Sequence, residues 1–248
     1  MPRLTKMDLL DWTKLNKQVK VSFTKKKYFN EFYYKLTYCV PGARLMTYKF
    51  PDDHELMQRV IHYNTRQNSY NYGINMYRHA WNRPAADFDQ LRSFAEVYHT
   101  KHADIKFRIE QDIFNIYSNS ETYLYRVANL VLGEYKSCIT EFCKPESAEA
   151  KAKLDQGFTI VKKEPTHPYR VRLKEGFQHV NERQGLATYL KNLNDDVKIT
   201  TFMLGRLGGT YKYFSGGYIY VKDRRIIDLL ILVSPNIIGT VNQMVINN

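Results

Sequence analysis

The sequence predicts an α+β protein built from two tandem ferredoxin-like units, each with the order βαββαβ, the first carrying an insertion at about residues 41–85. Three observations carry this expectation. Short runs such as Ile105–Glu110 and Tyr169–Lys174 alternate between apolar and polar residues, the period of a half-buried strand. Segments of helical spacing lie between those runs. The order also recurs: Leu190–Ile199 aligns with Tyr98–Phe107 at an offset of 92 (190 against 98), and Ile219–Asp223 with Phe114–Ser118 at an offset of 105 (219 against 114).

Residues 1–30 read as an N-terminal arm, with a short amphipathic start (Leu9, Leu10, Trp12, Leu15) and then Lys25, Lys26 and Lys27. The first unit spans 31–143. Phe32–Val40 is its first strand, stopped by the turn pair Pro41-Gly42. Asp52 and Asp53 sit where an N-cap belongs, ahead of Leu56, Val60 and Ile61, and predict a short helix. Residues 64–84, with Tyr70, Tyr72, Tyr77, Arg78 and Trp81, show no assignable period. Asp87–Tyr98 is a helix with Phe88, Leu91, Phe94 and Ala95 on one face, and Ile105–Glu110 with Ile113–Ser118 is a hairpin. Ser120 caps a helix over 121–132 that ends at Gly133, and 135–142 is the closing strand.

Residues 144–166 read as a linker, and 167–248 as the second unit. Its strands are 169–174, 197–202, 217–222 and 237–246; its helices are 182–193 and 224–233. Relative to the first unit, its central hairpin is extended by a stretch holding Gly205, Gly208, Gly209 and Gly216.

Composition narrows the function classes. The chain has 248 residues, and 44% are hydrophobic, which excludes wholesale disorder. The longest nearly apolar run, Ile226–Val233, is too short to span a bilayer, and the first residues lack the apolar stretch of a signal peptide. The expected setting is intracellular, in the cytoplasm and away from membranes. Cys39, Cys138 and Cys143 fit neither a disulfide framework nor a closed zinc site.

Charge and aromatic content point to a partner class. Thirty-seven Lys and Arg against 25 Asp and Glu leave a net charge of +12, alongside 20 Tyr and 13 Phe. Stacking rings interleaved with cations are what a single-stranded nucleic acid needs. Alternation in the second unit turns Val171, Leu173, Val197, Ile199, Ile219 and Val221 toward the helices. The opposite face then shows Arg170, Arg172, Lys174, Lys198, Thr200, Phe202, Tyr218, Tyr220 and Lys222, with no acid among them. The equivalent face of the first unit is mixed: Lys35, Thr37, Cys39, Lys106, Arg108, Glu110, Ile113, Asn115 and Tyr117. Lys106, Arg108 and Tyr117 are its candidates for nucleic-acid contact.

Gly217-Tyr218-Ile219-Tyr220-Val221 resembles the third-strand signature of RNA-recognition-motif domains, a Gly followed by alternating aromatics and an aliphatic. The resemblance implies that Tyr218 and Tyr220 stack on bases. It departs from the family at Gly216 (for a cation), Ile219 (for a small residue), Asp223 (for an aromatic) and Arg170 (for a first-strand aromatic). Tandem ferredoxin-like units in a basic chain also resemble the repeat-associated CRISPR RNA-processing endoribonucleases. That family's glycine-rich loop precedes the last strand of its second unit, whereas Gly205–Gly209 here falls between the second and third strands. That resemblance implies His54 or His62 as acid or base.

Other catalytic signals are sparse. His99 and His102 near Asp104 lack a third ligand at metal spacing, and Asp104-Ile-Lys106 with Glu110 only loosely matches nuclease spacing. The expectation is a binding protein rather than an enzyme, with no cofactor and no metal, holding single-stranded RNA or DNA. The alternative is a structural or regulatory module that docks an acidic protein through the same face.

Overall fold

The structure, a computed structural model, describes residues 11–48, 52–72, 84–100 and 104–247. Leu9, Leu10, Tyr77, Arg78, His79, Trp81 and His102 lie outside the described residues. The chain divides between Glu146 and Ser147 into two compact units.

In the first unit the elements run α1 (Trp12–Leu15), β1 (Lys20–Phe23), β2 (Tyr34–Cys39), a 3-10 turn (Ala43–Thr47), α2 (Asp53–Tyr72), α3 (Phe88–His99), β3 (Ile105–Glu110), β4 (Ile113–Ser118), α4 (Glu121–Arg126, continued as a π-turn over Val127–Val131) and β5 (Ile139–Lys144). The second unit runs α5 (Ala148–Asp155), β6 (Thr159–Val161), β7 (Tyr169–Leu173), β8 (Gly176–Phe177), α6 (Val180–Asn192), β9 (Val197–Lys198), α7 (Thr201–Leu207), β10 (Tyr213–Phe214), β11 (Gly217–Val221), α8 (Arg224–Val233) and β12 (Ile238–Ile246).

The sheet orders are β1-β5-β2-β4-β3 and β6-β12-β7-β11-β9. Without its first member, each is the 4-1-3-2 order of a ferredoxin-like unit, so the protein is α+β with two such units in tandem. Both sheets gain a fifth strand at the same place, since β1 pairs in parallel with β5, and β6 in parallel with β12.

Alternation sorts the faces. Leu36, Tyr38, Phe114, Ile116 and Phe142 pack with Leu91, Phe94, Leu124 and Val127 in one core, while Val171, Leu173, Ile219 and Val221 pack with Leu186, Leu190, Ile227 and Leu230 in the other. Each unit therefore covers one sheet face with its two crossover helices.

Four local expectations change. The strand expected over 197–202 stops at Lys198. The Thr200 hydroxyl accepts from the Met203 N–H at 3.2 Å and caps α7, so Phe202 lies on a helix and not on the sheet. Gly205 lies inside α7 and Gly208 closes it, where a hairpin extension was expected. The strand expected from 135 begins at Ile139, because Gly133–Cys138 forms a 3-10 segment. The stretch read as a linker holds α5, capped by Ser147 and anchored by buried Ala150 and Leu154, and β6 as well.

Candidate functional site

Register across three strands places the candidate residues of the second unit. Tyr220 on β11 stands opposite Arg170 on β7 and Lys198 on β9, and Tyr218 stands opposite Arg172. Directly paired residues share a face. The face opposite the helices thus presents a row Arg170–Tyr220–Lys198, in which Lys198 is exposed and Arg170 and Tyr220 are half-buried, beside an exposed pair Arg172–Tyr218. Asn242 on β12, opposite Arg170, extends the row, and only the strand pairing reveals it. The strand β12 carries no Asp or Glu.

The Arg170 guanidinium lies 4.9 Å from the centre of the Tyr218 ring, a cation–π contact, and its shielded Nε has no hydrogen-bond partner among the described residues. Tyr218 is 47% exposed. Arg172 and Lys198 are exposed. Lys174 is also exposed, with its Nζ 3.4 Å from the Pro235 carbonyl, and Lys222 pairs with Asp196 at 3.6 Å. These last two stand at the rim. Phe202, on α7 and 71% exposed, has the Arg206 guanidinium 5.4 Å above its ring and belongs to a separate surface.

The first unit repeats the row and closes it. Tyr117 on β4 stands opposite Lys35 on β2 and Lys106 on β3, at the same strand positions as Tyr220, Arg170 and Lys198, so the third strands correspond at an offset of 103 (220 against 117) and not at the expected 105. Residues 24–33, between β1 and β2, lie across it. The Tyr28 and Phe29 rings sit 5.1 and 5.0 Å from the Tyr117 ring, and Lys106 Nζ is 4.0 Å from the Phe29 centroid. Tyr117 is left 5% exposed, so its ring offers no free face, and burial pushes its hydroxyl pKa up.

Two cations of this face are neutralised internally, while Lys106 stays exposed. Lys35 bonds Glu141 at 2.6 Å, Ser22 donates to the other Glu141 oxygen at 2.9 Å, and Arg108 pairs with Glu110 at 2.5 Å. Burial opposes ionisation of Glu141, but the Lys35 and Ser22 hydrogen bonds outweigh it and hold the carboxyl below its ordinary range. Thr37 and Asn115, which occupy the places of Arg172 and Tyr218, are buried and bond each other at 2.9 Å.

Catalytic candidates stay apart. His54 and His62 lie on α2, and His99 contacts the Tyr48 carbonyl at 3.2 Å. Among the described residues, no group of three or more His, Cys, Asp or Glu side chains is placed to hold a metal ion. No helix is long and apolar enough to cross a membrane, among the described residues. No protein-family model matches the sequence, and no curated protein matches it significantly.

Proposed function

We propose that the protein binds single-stranded nucleic acid on the open sheet face of its second unit. The observation that carries this reading is the shared face of the row Arg170–Tyr220–Lys198 with its neighbours Arg172 and Tyr218, of which Lys198, Arg172 and Tyr218 are exposed. Among the described residues no carboxylate is ion-paired to any of these three cations. Rings supply stacking to any base, and unneutralised cations supply phosphate contacts. A single strand suits a flat sheet with exposed rings, whereas a duplex needs a groove-entering element.

Fluorescence anisotropy with unstructured RNA and DNA oligomers and a DNA duplex, across a salt series, tests the reading. Single strands bind, with a log–log salt slope of about −2, from three cations at roughly −0.7 each. Tyr218→Ala/Tyr220→Ala weakens binding about tenfold or more, at unchanged stability. Absence of binding to every probe at low salt overturns the proposal.

The same face also fits an acidic protein segment. In the first unit the corresponding row is covered by aromatic residues of the chain itself, Tyr28 and Phe29. Capture of a protein by the intact chain, insensitive to nuclease and lost in the same double variant, would favour that reading.

A further inference from the structure

We infer that the row Arg170–Tyr220–Lys198 is a two-base site, taking two consecutive nucleobases in the way that the row Lys35–Tyr117–Lys106 takes the rings of Tyr28 and Phe29. The inference rests on the nucleic-acid reading above and specifies what its centre holds.

The two rows are the same construction. Each sets a tyrosine on the third strand of a ferredoxin-like unit, with a cation opposite on the first strand and a lysine opposite on the second. Both tyrosines also precede an N-cap by three residues, Tyr117 before Ser120 and Tyr220 before Asp223. The first unit shows what such a row accommodates. Two adjacent residues of the chain place one ring each against the tyrosine, Tyr28 tilted by 50° at 5.1 Å and Phe29 edge-on at 5.0 Å. A lysine lies over each of those rings, Lys35 Nζ at 5.8 Å from Tyr28 and Lys106 Nζ at 4.0 Å from Phe29. Such distances suit aromatic and cation–π contacts.

The differences between the rows say which rings the second one takes. In the first row Lys35 is already paired with Glu141, and beside the row Arg108 with Glu110, while Lys106 lies over the Phe29 ring. In the second unit β12 has no carboxylate to play the part of Glu141, and Arg172 with Tyr218 replaces the closed pair Thr37–Asn115. Arg172 and Lys198 are exposed, and among the described residues neither is ion-paired to a carboxylate. An occupant must therefore bring anionic oxygen as well as planar rings. A dinucleotide step does both: adjacent bases for the tyrosine and its cations, and a phosphate between them.

The test uses the full chain with uridine and thymidine mono-, di- and trinucleotides, followed by NMR titration, and a synthetic peptide of residues 25–31 as competitor. Affinity should rise about tenfold from one base to two, within the roughly 5- to 150-fold expected of a base held against an aromatic side chain, and by less from two to three. Tyr220→Phe should keep that step, and Tyr220→Leu should abolish it without shifting the urea midpoint. Salt-dependent binding of longer oligomers with no step at the second base, or with a step indifferent to Tyr220→Leu, overturns the two-base site and leaves the nucleic-acid reading standing. Failure of every nucleotide probe overturns both, and Tyr220-dependent binding of the peptide would then assign the row to an aromatic peptide.

Discussion

Arg183 is the most unusual residue in the second unit, a guanidinium only 1% exposed that is ion-paired to no carboxylate among the described residues. It donates to the carbonyls of Arg206 at 2.9 Å and Gly209 at 3.2 Å, and to that of Tyr211. Phe214 lies under it, with the ring centre 5.8 Å away. Carbonyls at the end of α7 carry partial negative charge, so the buried cation is compensated by dipoles. Arg183→Met keeps an apolar stem but strands those acceptors, and should cost about 1–3 kcal/mol, read as a lower urea midpoint. An unchanged midpoint would mean that water replaces the guanidinium without loss. The residue was legible in the sequence only through spacing. It falls on the stripe of Leu186, Ala187 and Leu190, the buried face of α6, and a cation on such a stripe calls for buried acceptors. Those acceptors sit over twenty residues away in a segment with no period of its own, and no local pattern identifies them.

Among the elements, the segment 24–33 and the strands beneath it form a charge-dependent assembly. Glu141 on β5 is held below its ordinary 4.5 by Lys35 and Ser22, despite burial. The stability it contributes is fully present above 4.5 and is lost as pH falls through its lower folded value. Lys35 is the mirror case. Burial pulls its pKa down, the Glu141 hydrogen bond overrides this, and the net shift is upward from 10.5. Its contribution is present below 10.5 and lost as pH rises through the folded value. Wild type should therefore be more stable than Glu141→Gln near neutrality, and the difference should shrink in acid below 4.5. Urea midpoints measured down the pH scale check this, and a constant difference refutes it. Element by element, the strands with two distinct faces were legible, because Ile105–Glu110 and Tyr169–Leu173 each bury one side against helices. The short parallel strands β1 and β6 were not, since three or four residues at an edge carry no period. The helix α7 was hidden by Gly205, Gly208 and Gly209, which mark turns in isolation, while Thr200 starts a helix whose Leu207 is buried. Nothing in the pattern of Thr24–Tyr33 announced that its rings cover Tyr117, and so the mixed first face looked open.

For the molecule as a whole, both units share more than βαββαβ. A short helix and a strand precede each, α1 with β1 and α5 with β6, and that strand always joins the sheet beside the last one. With the cation–tyrosine–lysine row in both, the two halves are one design used twice and finished differently. In the first row the tyrosine is buried under residues 24–33 and the first-strand cation is paired with Glu141, whereas in the second the tyrosine is half-buried and, among the described residues, no carboxylate is ion-paired to its cations. Binding should then belong to one unit. A fragment of residues 147–248, which keeps α5, β6 and the whole second sheet, should unfold cooperatively and bind single strands with the affinity and salt slope of the full chain. A fragment that begins at 167, where the alternating pattern starts, lacks β6 and α5, whose Ala150 and Leu154 are buried. It should be less stable than the longer fragment. Equal stability would show that the fifth strand is dispensable. A weaker salt slope for 147–248 than for the full chain would show instead that cations of the first unit, Lys106 foremost because it remains exposed, also touch phosphate.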